Sequence, residues 1–338
     1  MMRAETNPVL GTHVPPMLVR AADGMYWMGR YMERAEQIAR VLLEHESMMT
    51  DVGDVNIELQ RVLLRSLPGI LGVDLLPEVQ TFLQEEAAQS FYGLAQYLTL
   101  GATNPNSLVH SLTRARENAR GMREHVSAEM WEHINTLYWS FQGTEAQTRF
   151  EDSASELFRA TIQGAALFHG LVDQTMAHGQ GWIFTRMGVL LERIDMTCRI
   201  LAIRGRVLQQ EDANLDPGVR NLHWMSVLRA CGALEAYRRQ HVGDMEPAQI
   251  VRFMVLEPGF PRTVAFCVRT AYGAVTQLRT GRSSRQADAA ERILGRLNTQ
   301  LEYADPGELD GADPFSYLQD IQVRVALAAE AIRKAYFL

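Results

Sequence analysis

Two helix-like stretches of this chain match each other without a gap, and this repeat constrains the fold more than any other feature. "MGRYMERAEQIARVL" begins at Met28, and "MGVLLERIDMTCRIL" begins at Met187. A weaker match follows at nearly the same offset, between "NPNSLVHSLTRA" from Asn104 and "GFPRTVAFCVRTA" from Gly259. Because the two matches occur in the same order, they predict a duplicated helical unit of about half the chain.

The stronger match repeats charged residues as well as apolar ones. The identical pairs are Met28 and Met187, Gly29 and Gly188, Glu33 and Glu192, Arg34 and Arg193, Arg40 and Arg199, and Leu42 and Leu201, while Asp195 replaces Glu36. Freely solvated charges tolerate most exchanges, whereas a buried charge must be paired. We therefore expect these charges to be buried or to face a partner. A glycine inside a helix costs about 1 kcal/mol relative to alanine, so Gly29 and Gly188 predict a close approach of another segment.

The polar side of the two repeated helices is the candidate functional site. Its residues are Arg30, Glu33, Arg34, Glu36 and Arg40 in the first copy and Glu192, Arg193, Asp195 and Arg199 in the second. The apolar residues of the first copy, with a spacing of 3, 4, 3, 4 that places them on the opposite side, are Met28, Tyr31, Ala35, Ile38 and Leu42. The alternative is the ordinary wet face of an amphipathic helix, with Glu36 and Arg40 paired at i, i+4.

Two kinds of chemistry suit this face. Four carboxylates in a bundle core can bind divalent metal ions, and the acids available are Glu33, Glu36, Glu192 and Asp195. However, the Glu-x-x-His spacing of di-iron bundles occurs nowhere in the sequence, and the histidines show no recurring ligand spacing. The repeated arginines suit charge pairing with these acids. We therefore favour a structural ion-pair network and predict no metal site and no cofactor.

Helix signals dominate the rest of the chain, and alternating strand-like runs are hard to find. Helix starts are indicated by Ser153 with Glu156, by Glu246 before Pro247 and by Asp313 before Pro314. We predict an all-α fold, an internally duplicated multi-helix bundle. Residues 1–17, rich in proline and glycine, are expected to form a flexible arm. Residues 18–178 and 179–338 are expected to be the two related halves, packed as one domain.

A second candidate site lies in "RARENARGMREH", where three arginines are spaced to share one helical face. Arg116, Arg120 and Arg123 together can bind a carboxylate or phosphate. Glu117 and Glu124 lie close enough in sequence to neutralise part of this charge. A solvated, salt-bridged face is therefore the alternative, and we favour it.

Composition excludes several classes of function. The net charge of -7 argues against nucleic acid as the main partner, since phosphate binding requires a dense basic surface. Lys334 is the only lysine, so a Schiff-base or P-loop lysine has no candidate in the folded body. The three separated cysteines, Cys198, Cys231 and Cys267, fit buried thiols in a reducing compartment. Without a secretory signal pattern or a membrane-length apolar run, the chain is expected to be cytoplasmic, with no membrane partner.

The sequence resembles the alpha-E family, helical bacterial proteins named for a Glu-Arg motif. The resemblance rests on "YWMGRYMERAEQIARVL", "NPNSLVHSLTRARENARGMREHVSAEMWEHIN" and "MGVLLERIDMTCRIL", and its most specific elements are Glu33-Arg34, "ARENAR" at Ala115 to Arg120, and Trp131. Members occur beside or fused to circularly permuted ATP-grasp-like proteins, and alongside transglutaminase-like proteins. The resemblance therefore implies a role in a peptide or amide-bond-forming system, and it supplies no catalytic assignments.

Three hypotheses follow. The first is an accessory protein that docks onto an ATP-grasp-like ligase, and possibly a transglutaminase-like protein, with the charged helix face organising the complex or its substrate. The second is an enzyme that uses Glu33, Glu36, Glu192 and Asp195 as metal ligands or as acid/base groups. The third is that the repeated motif only holds the fold together.

Overall fold

A computed structural model describes residues 17–52, 57–211, 216–241, 243, 245–279, 285–305 and 314–338. Within these ranges the secondary structure is helical and contains no strand, which confirms the all-α prediction. The predicted arm, except for Met17, lies outside the described residues, as does Asp313.

The helices follow one another with short connections. They are α1 (Val19–Val52), α2 (Ile57–Ile70), α3 (Pro77–Phe82), a 3-10 helix (Glu86–Gln89), α4 (Phe91–Leu100), α5 (Leu108–Gly121), α6 (Ala128–Trp139), α7 (Gly143–Thr175), α8 (Gln180–Glu211), α9 (Pro217–Ala230), α10 (Leu234–Gln240), α11 (Pro247–Leu256), α12 (Val264–Arg279), α13 (Arg285–Glu302) and α14 (Pro314–Tyr336).

Helix starts carry the local signals that the sequence contains. The hydroxyl group of Ser107 accepts a hydrogen bond from the backbone N–H of His110 and caps α5. Pro247 is the first residue of α11, after Glu246 in an extended conformation, as predicted. Ser153 has an extended conformation inside α7, with φ of -163° and ψ of 93°, so this helix is kinked where a helix start was predicted.

Helices α1 and α8 form the centre of the molecule and pack along each other. Helix α1 also packs on α5 and α7, while α8 packs on α12 and α14. The helix that follows each central helix packs on the other one: α2, which follows α1, packs on α8, and α9, which follows α8, packs on α1. One hydrophobic cluster of buried side chains runs through both sets of helices.

The crossing of α1 and α8 depends on two glycines. A methyl group at Gly29 would run into the carbonyl oxygen of Thr185, and one at Gly188 would run into the carbonyl oxygen of Tyr26. Only glycine therefore permits the two backbones to approach so closely. The predicted close approach at both glycines is confirmed, and it brings the charged residues beside them within reach of the opposite helix.

Other parts of the sequence analysis agree with the structure. The three cysteines are buried and free, as predicted. On the apolar side of α1, Tyr31 is the one residue of the predicted set that stays partly exposed, and it lies against Trp27 and Arg34.

Among the described helices, none combines the length and the apolar character that crossing a bilayer requires.

Candidate functional site: the Glu-Arg crossing

The Glu-Arg pairs of the two repeated segments bind each other crosswise. Arg193 of α8 donates from Nε to Oε1 of Glu33 at 2.8 Å and from Nη2 to Oε2 at 2.6 Å. Arg34 of α1 donates from Nε to Oε1 of Glu192 at 2.6 Å and from Nη2 to Oε2 at 3.2 Å. Bidentate guanidinium–carboxylate pairs are among the strongest polar contacts in proteins. Each motif therefore supplies the acid for the other motif's arginine.

Neighbouring segments complete the coordination of both arginines. Nη1 of Arg34 donates to Oδ1 of Asn106 at 3.0 Å, and Nη1 of Arg193 donates to the carbonyl oxygen of Pro261 at 3.2 Å. Asn106 and Pro261 lie just before α5 and α12, in the two segments of the weaker sequence match. Buried guanidinium groups require such partners for their remaining N–H groups.

The acid three residues after each glutamate pairs within its own helix. Nε of Arg40 donates to Oε1 of Glu36 at 2.8 Å, and Nε of Arg199 donates to Oδ2 of Asp195 at 2.9 Å. A further side chain reaches each acid from the second half: Arg262, before α12, pairs with Glu36, and Nε2 of Gln322 in α14 donates to Oδ1 of Asp195 at 2.8 Å.

The glutamates are buried yet ionised. Burial by itself raises the pKa of a carboxyl group, but Arg34 and Arg30 overcome it and lower the pKa of Glu192 to about 2. The same balance holds for Glu33, whose pKa Arg193 keeps well below its ordinary value. The predicted withdrawal of Glu33 and Glu192 from water is thus confirmed, since they are 0% and 2% exposed. Arg40 and Arg199 remain partly exposed.

We call this set the Glu-Arg site. Its members are Arg30, Glu33, Arg34, Glu36 and Arg40 of α1, Glu192, Arg193, Asp195 and Arg199 of α8, and the contacting residues Asn106, His169, Arg262 and Gln322. Arg30, which has no counterpart in the repeat, donates from Nε to Oε2 of Glu192 at 2.6 Å. All nine sequence-predicted positions therefore lie at one crossing.

His169 of α7 joins the acids of the first copy. Its Nε2 lies 3.4 Å from Oε2 of Glu33 and 3.5 Å from Oε2 of Glu36. Burial lowers the pKa of a histidine, but the two carboxylates outweigh it and raise the pKa of His169 above its ordinary value. A search for Glu-x-x-His within one helix could not find this group, because His169 comes from a different helix.

These three side chains are also the only group of three or more potential metal ligands in the described part of the chain. Their ligand atoms lie within 4.8 Å of one another. The four-carboxylate arrangement considered from the sequence is not formed, because Glu192 and Asp195 pair with arginines on the other side of the crossing. Arg193 donates to both oxygens of Glu33, so a metal ion would compete with a guanidinium group for this carboxylate.

An open cleft of about 360 Å³ lies beside the Glu192 side of the crossing. Helices α1, α8 and α14 form its walls. Its charged and polar lining residues are Arg30, Asp195, Arg199, Gln322, Glu330 and Arg333, and its other lining residues are Tyr26, Trp27, Val325, Ala326, Ala329 and Phe337. This volume is within the range of small-molecule sites.

The three arginines of the second candidate site do not share one helical face. Arg123 lies beyond the end of α5 at Gly121, so the predicted common helical face is wrong for this residue. Arg116 lies over the ring of Tyr138, with 4.5 Å from Cζ to the ring centroid, and Arg123 lies over Trp131 at 4.8 Å. Arg120 is exposed. The favoured salt-bridged face is not formed as expected either, since Glu117 pairs with Arg114.

Sequence reasoning missed four residues of the Glu-Arg site: Asn106, His169, Arg262 and Gln322. A signal existed for Arg262, because the weaker match aligns Pro261 with Pro105 and so places Arg262 opposite Asn106. Both residues contact a charged side chain of the long helices. His169 and Gln322 carry no comparable signal, since nothing in their local sequence separates them from other polar helix residues.

Comparison with known proteins agrees with this geometry. Uncharacterized proteins of Mycobacterium bovis and of Mycobacterium tuberculosis strains CDC 1551 and H37Rv are each 24% identical to the chain over 310 residues. Each match covers 86% of this chain but 33% of the relative, so the chain spans about a third of the length of these proteins. No solved structure matches the chain. A family model described as "a predicted alpha-helical domain with a conserved ER motif" matches residues 17–337, and the chain therefore belongs to the Alpha-E family.

Proposed function

We propose that this chain is an internally duplicated, cytoplasmic accessory protein of an ATP-grasp-like peptide or amide-bond-forming system. In this proposal the Glu-Arg site fixes two related halves, about residues 18–178 and 179–338, as one rigid body. The exposed edge of the same site organises the partner's substrate or contacts the partner. The chemistry of bond formation belongs to the partner.

The observation that carries this proposal is the crosswise pairing of Glu33 with Arg193 and of Glu192 with Arg34. Both oxygens of each glutamate accept hydrogen bonds from a guanidinium group. These hydrogen bonds lower the pKa of both glutamates, which makes them weaker bases and poorer metal ligands. Breaking a buried ion pair leaves an uncompensated charge and costs about 3–5 kcal/mol. The geometry therefore favours a positioning role for these acids over a catalytic one.

The two sets of helices have the same order of contacts, which supports the duplication. Helices α1, α5, α6 and α7 contact one another in the same order as α8, α12, α13 and α14. The crossing glycines, the exchanged ion pairs and the exchanged contacts of α2 and α9 are related in the same way. A pseudo-two-fold axis through the α1–α8 crossing accounts for all of these features.

Two facts support a partner. The mycobacterial relatives are about three times as long as the matched region, so in them an Alpha-E segment shares its polypeptide with a large additional part. The family resemblance described above implies that such additional or neighbouring proteins are ATP-grasp-like or transglutaminase-like, and we adopt this implication in the proposal. An accessory role is consistent with a Glu-Arg site whose two central glutamates are paired with arginines of the same chain.

Affinity purification of the full chain from its native cells tests the proposal. We expect an ATP-grasp-like protein encoded nearby to co-purify, and we expect its ATP-dependent bond formation to fall when this chain is removed and to recover when it is added back. The variant Arg199→Gln should weaken the recovery, whereas Arg61→Gln, at an exposed ion pair with Glu58, should not. A partner that is fully active without this chain would contradict the proposal.

A second candidate function is an enzyme that uses the His169 side of the site. Oε2 of Glu36 and Nε2 of His169 are buried and make no hydrogen bond, although they lie 3.5 Å apart. A proton shared between them, or a metal ion on Glu33, Glu36 and His169, would satisfy both atoms. Metal analysis of the purified chain and the variant His169→Gln separate this candidate from the first. A metal-free chain whose His169→Gln variant folds and supports the partner fully would exclude it.

A further inference from the structure

We infer that the cleft between α1, α8 and α14 is a binding site for an organic anion, a carboxylate-bearing molecule with a hydrocarbon body. The inference is based on three observations: which hydrogen-bonding groups in the cleft are already used, where the unused groups lie, and what covers the opposite wall.

The carboxylate oxygens in and behind the cleft all accept hydrogen bonds from side chains of the same chain. Oδ2 of Asp195 accepts from Arg199, and Oδ1 accepts from Gln322. Glu330 accepts from Arg333 on both oxygens, at 2.8 Å each. Behind the cleft, Oε2 of Glu192 accepts a hydrogen bond from Arg30, and Oε1 accepts one from Arg34. Each of these oxygens already has a donor, so a cationic ligand would compete with arginine or glutamine side chains for it.

The donor groups are only partly used. Arg30 donates from Nε to Glu192 and from Nη1 to Tyr26, and in the described residues Nη2 has no acceptor. Arg199 donates from Nε to Asp195, while neither of its Nη groups makes a hydrogen bond to the described part of the chain. Both arginines line the cleft. Among the charged side chains of the cleft, the groups without a hydrogen-bond partner in the described residues are guanidinium N–H groups, which prefer carboxylate or phosphate oxygens.

The charged side chains that line the cleft have a positive net charge, which also suits an anionic ligand. Three cations, Arg30, Arg199 and Arg333, face the cleft with two acids, Asp195 and Glu330. Arg30 is also held in place, since its Cζ lies 5.5 Å from the ring centroid of Trp27 and 5.8 Å from that of Tyr26. A guanidinium group that is fixed in this way loses little entropy when it binds an anion.

The wall formed by α14 is apolar in part, between its polar residues Gln322, Glu330 and Arg333. Val325, Ala326 and Ala329 of α14 line it, together with Phe337 next to the C-terminus. Small side chains on this helix leave the space that a hydrocarbon body would fill. A ligand that places its anionic group on Arg30 and Arg199 would lay its apolar part against α14, with a cleft of about 360 Å³ available to it.

For its role in the cell this inference rests on the proposed function, because it names the substrate class of the same site. Binding itself is a property of the isolated chain. A failure to bind would leave partner co-purification unaffected, and a missing partner would leave binding unaffected. The two failures can therefore be distinguished.

Calorimetric titration of the full chain tests the inference with three probes: N-acetyl-L-phenylalanine, its uncharged amide, and phenyl phosphate. We expect the carboxylate to bind about tenfold more tightly than the amide, as for one or two charge-assisted hydrogen bonds. The variants Arg199→Gln and Ala329→Trp should each weaken binding of the carboxylate by at least about tenfold, the first by removing donors and the second by filling the space. Tighter binding of phenyl phosphate, lost in the same variants, would support an anion site and identify phosphate as its ligand.

Arg114→Gln is the matched control, because Arg114 is an exposed arginine of α5 that pairs with Glu117 away from the cleft. Binding by this variant should equal that of the unmodified chain. Ala326→Trp, at a more exposed position of the same wall, replaces Ala329→Trp if the latter does not fold. Equal affinity for the acid and its amide, binding that survives both cleft variants, or no binding of any probe at 10 millimolar, on the order of the weakest affinities that matter here, would each overturn the inference.

Discussion

Glu33 of α1 accepts two hydrogen bonds from Arg193 of α8, at 2.8 and 2.6 Å, although the two residues are separated by 160 positions in the chain. Each residue also has a neighbour, Arg34 and Glu192, that makes the reverse pair. The ion pairs of the two Glu-Arg motifs thus form between α1 and α8, and not within either helix. A substitution in either motif should therefore weaken the packing of α1 on α8.

The Glu33–Arg193 pair should show strong energetic coupling. Glu33→Met leaves Arg193 buried without its acid, and Arg193→Met leaves Glu33 without its arginine, so each should lower the free energy of unfolding by about 3–5 kcal/mol. The double variant should cost at least about 2 kcal/mol less than the sum, since it leaves neither charge alone. Urea unfolding measures all three.

Glu58→Gln is the control for this cycle. Its carboxylate pairs with Arg61 on an exposed surface, and it should change stability by about 0.5 kcal/mol or less. Additive costs for Glu33 and Arg193 would show that the two side chains are not partners in solution.

The crossing glycines should not accept a side chain. Gly29→Ala and Gly188→Ala each place a methyl group against a backbone carbonyl, and we expect each to destabilise the protein by at least about 3 kcal/mol. Gly170→Ala is the matched control: Gly170 lies inside α7, and nothing lies within 4 Å of the added methyl group. It should stabilise the protein by up to about 1 kcal/mol. Thermal unfolding of the three variants tests the close approach, and stable Gly29→Ala and Gly188→Ala proteins would contradict it.

Glu192 should contribute stability at neutral pH that disappears in acid. Its pKa falls to about 2 in the folded protein, from an ordinary value of 4.5. A lowered carboxyl pKa stabilises the fold above the unfolded value, and this contribution is lost as the pH falls from about 4.5 towards 2. Glu192→Gln should therefore be markedly less stable than the unmodified chain at pH 7, and the difference should shrink between pH 5 and pH 2. Urea unfolding at several pH values checks this, and a constant difference would refute it.

His169 should show the opposite dependence on pH. Its pKa is raised by Glu33 and Glu36, so its stabilising effect is fully present below the unfolded value of about 6.5 and is lost as the pH rises through the folded pKa. The stability difference between the unmodified chain and His169→Gln should therefore be largest near pH 6 and smaller at higher pH. An NMR titration of the imidazole protons gives the folded pKa directly, and a value at or below 6.5 would disagree with the ion pairs described here.

The sequence indicated much of the Glu-Arg site before any coordinates. The repeat of Gly29, Glu33, Arg34 and Arg40 at Gly188, Glu192, Arg193 and Arg199 identified the crossing helices, because paired buried charges and close-packed glycines restrict substitution. It could not show which acid meets which arginine. That depends on how α1 and α8 pack, and the exchange of partners follows from their crossing at Gly29 and Gly188.

The Arg116, Arg120 and Arg123 prediction shows where local spacing fails. Helical spacing applies only inside a helix, and α5 ends at Gly121, two residues before Arg123. The aromatic rings of Trp131 and Tyr138 then bind two of the guanidinium groups at the surface. These rings belong to α6, so their contact with α5 is a tertiary one that the sequence pattern does not encode.

The sequence by itself determined the helical class, the residues of the two crossing segments and the need to bury their charges, because periodicity, glycine positions and repeated charge are local properties of the chain. Only the tertiary structure decided that Glu33 pairs with Arg193, that His169 lies between Glu33 and Glu36, and that a cleft opens beside Arg30 and Arg199. The physical reason is that ion pairing and cavity formation depend on distances of a few ångströms between helices that are far apart in the chain.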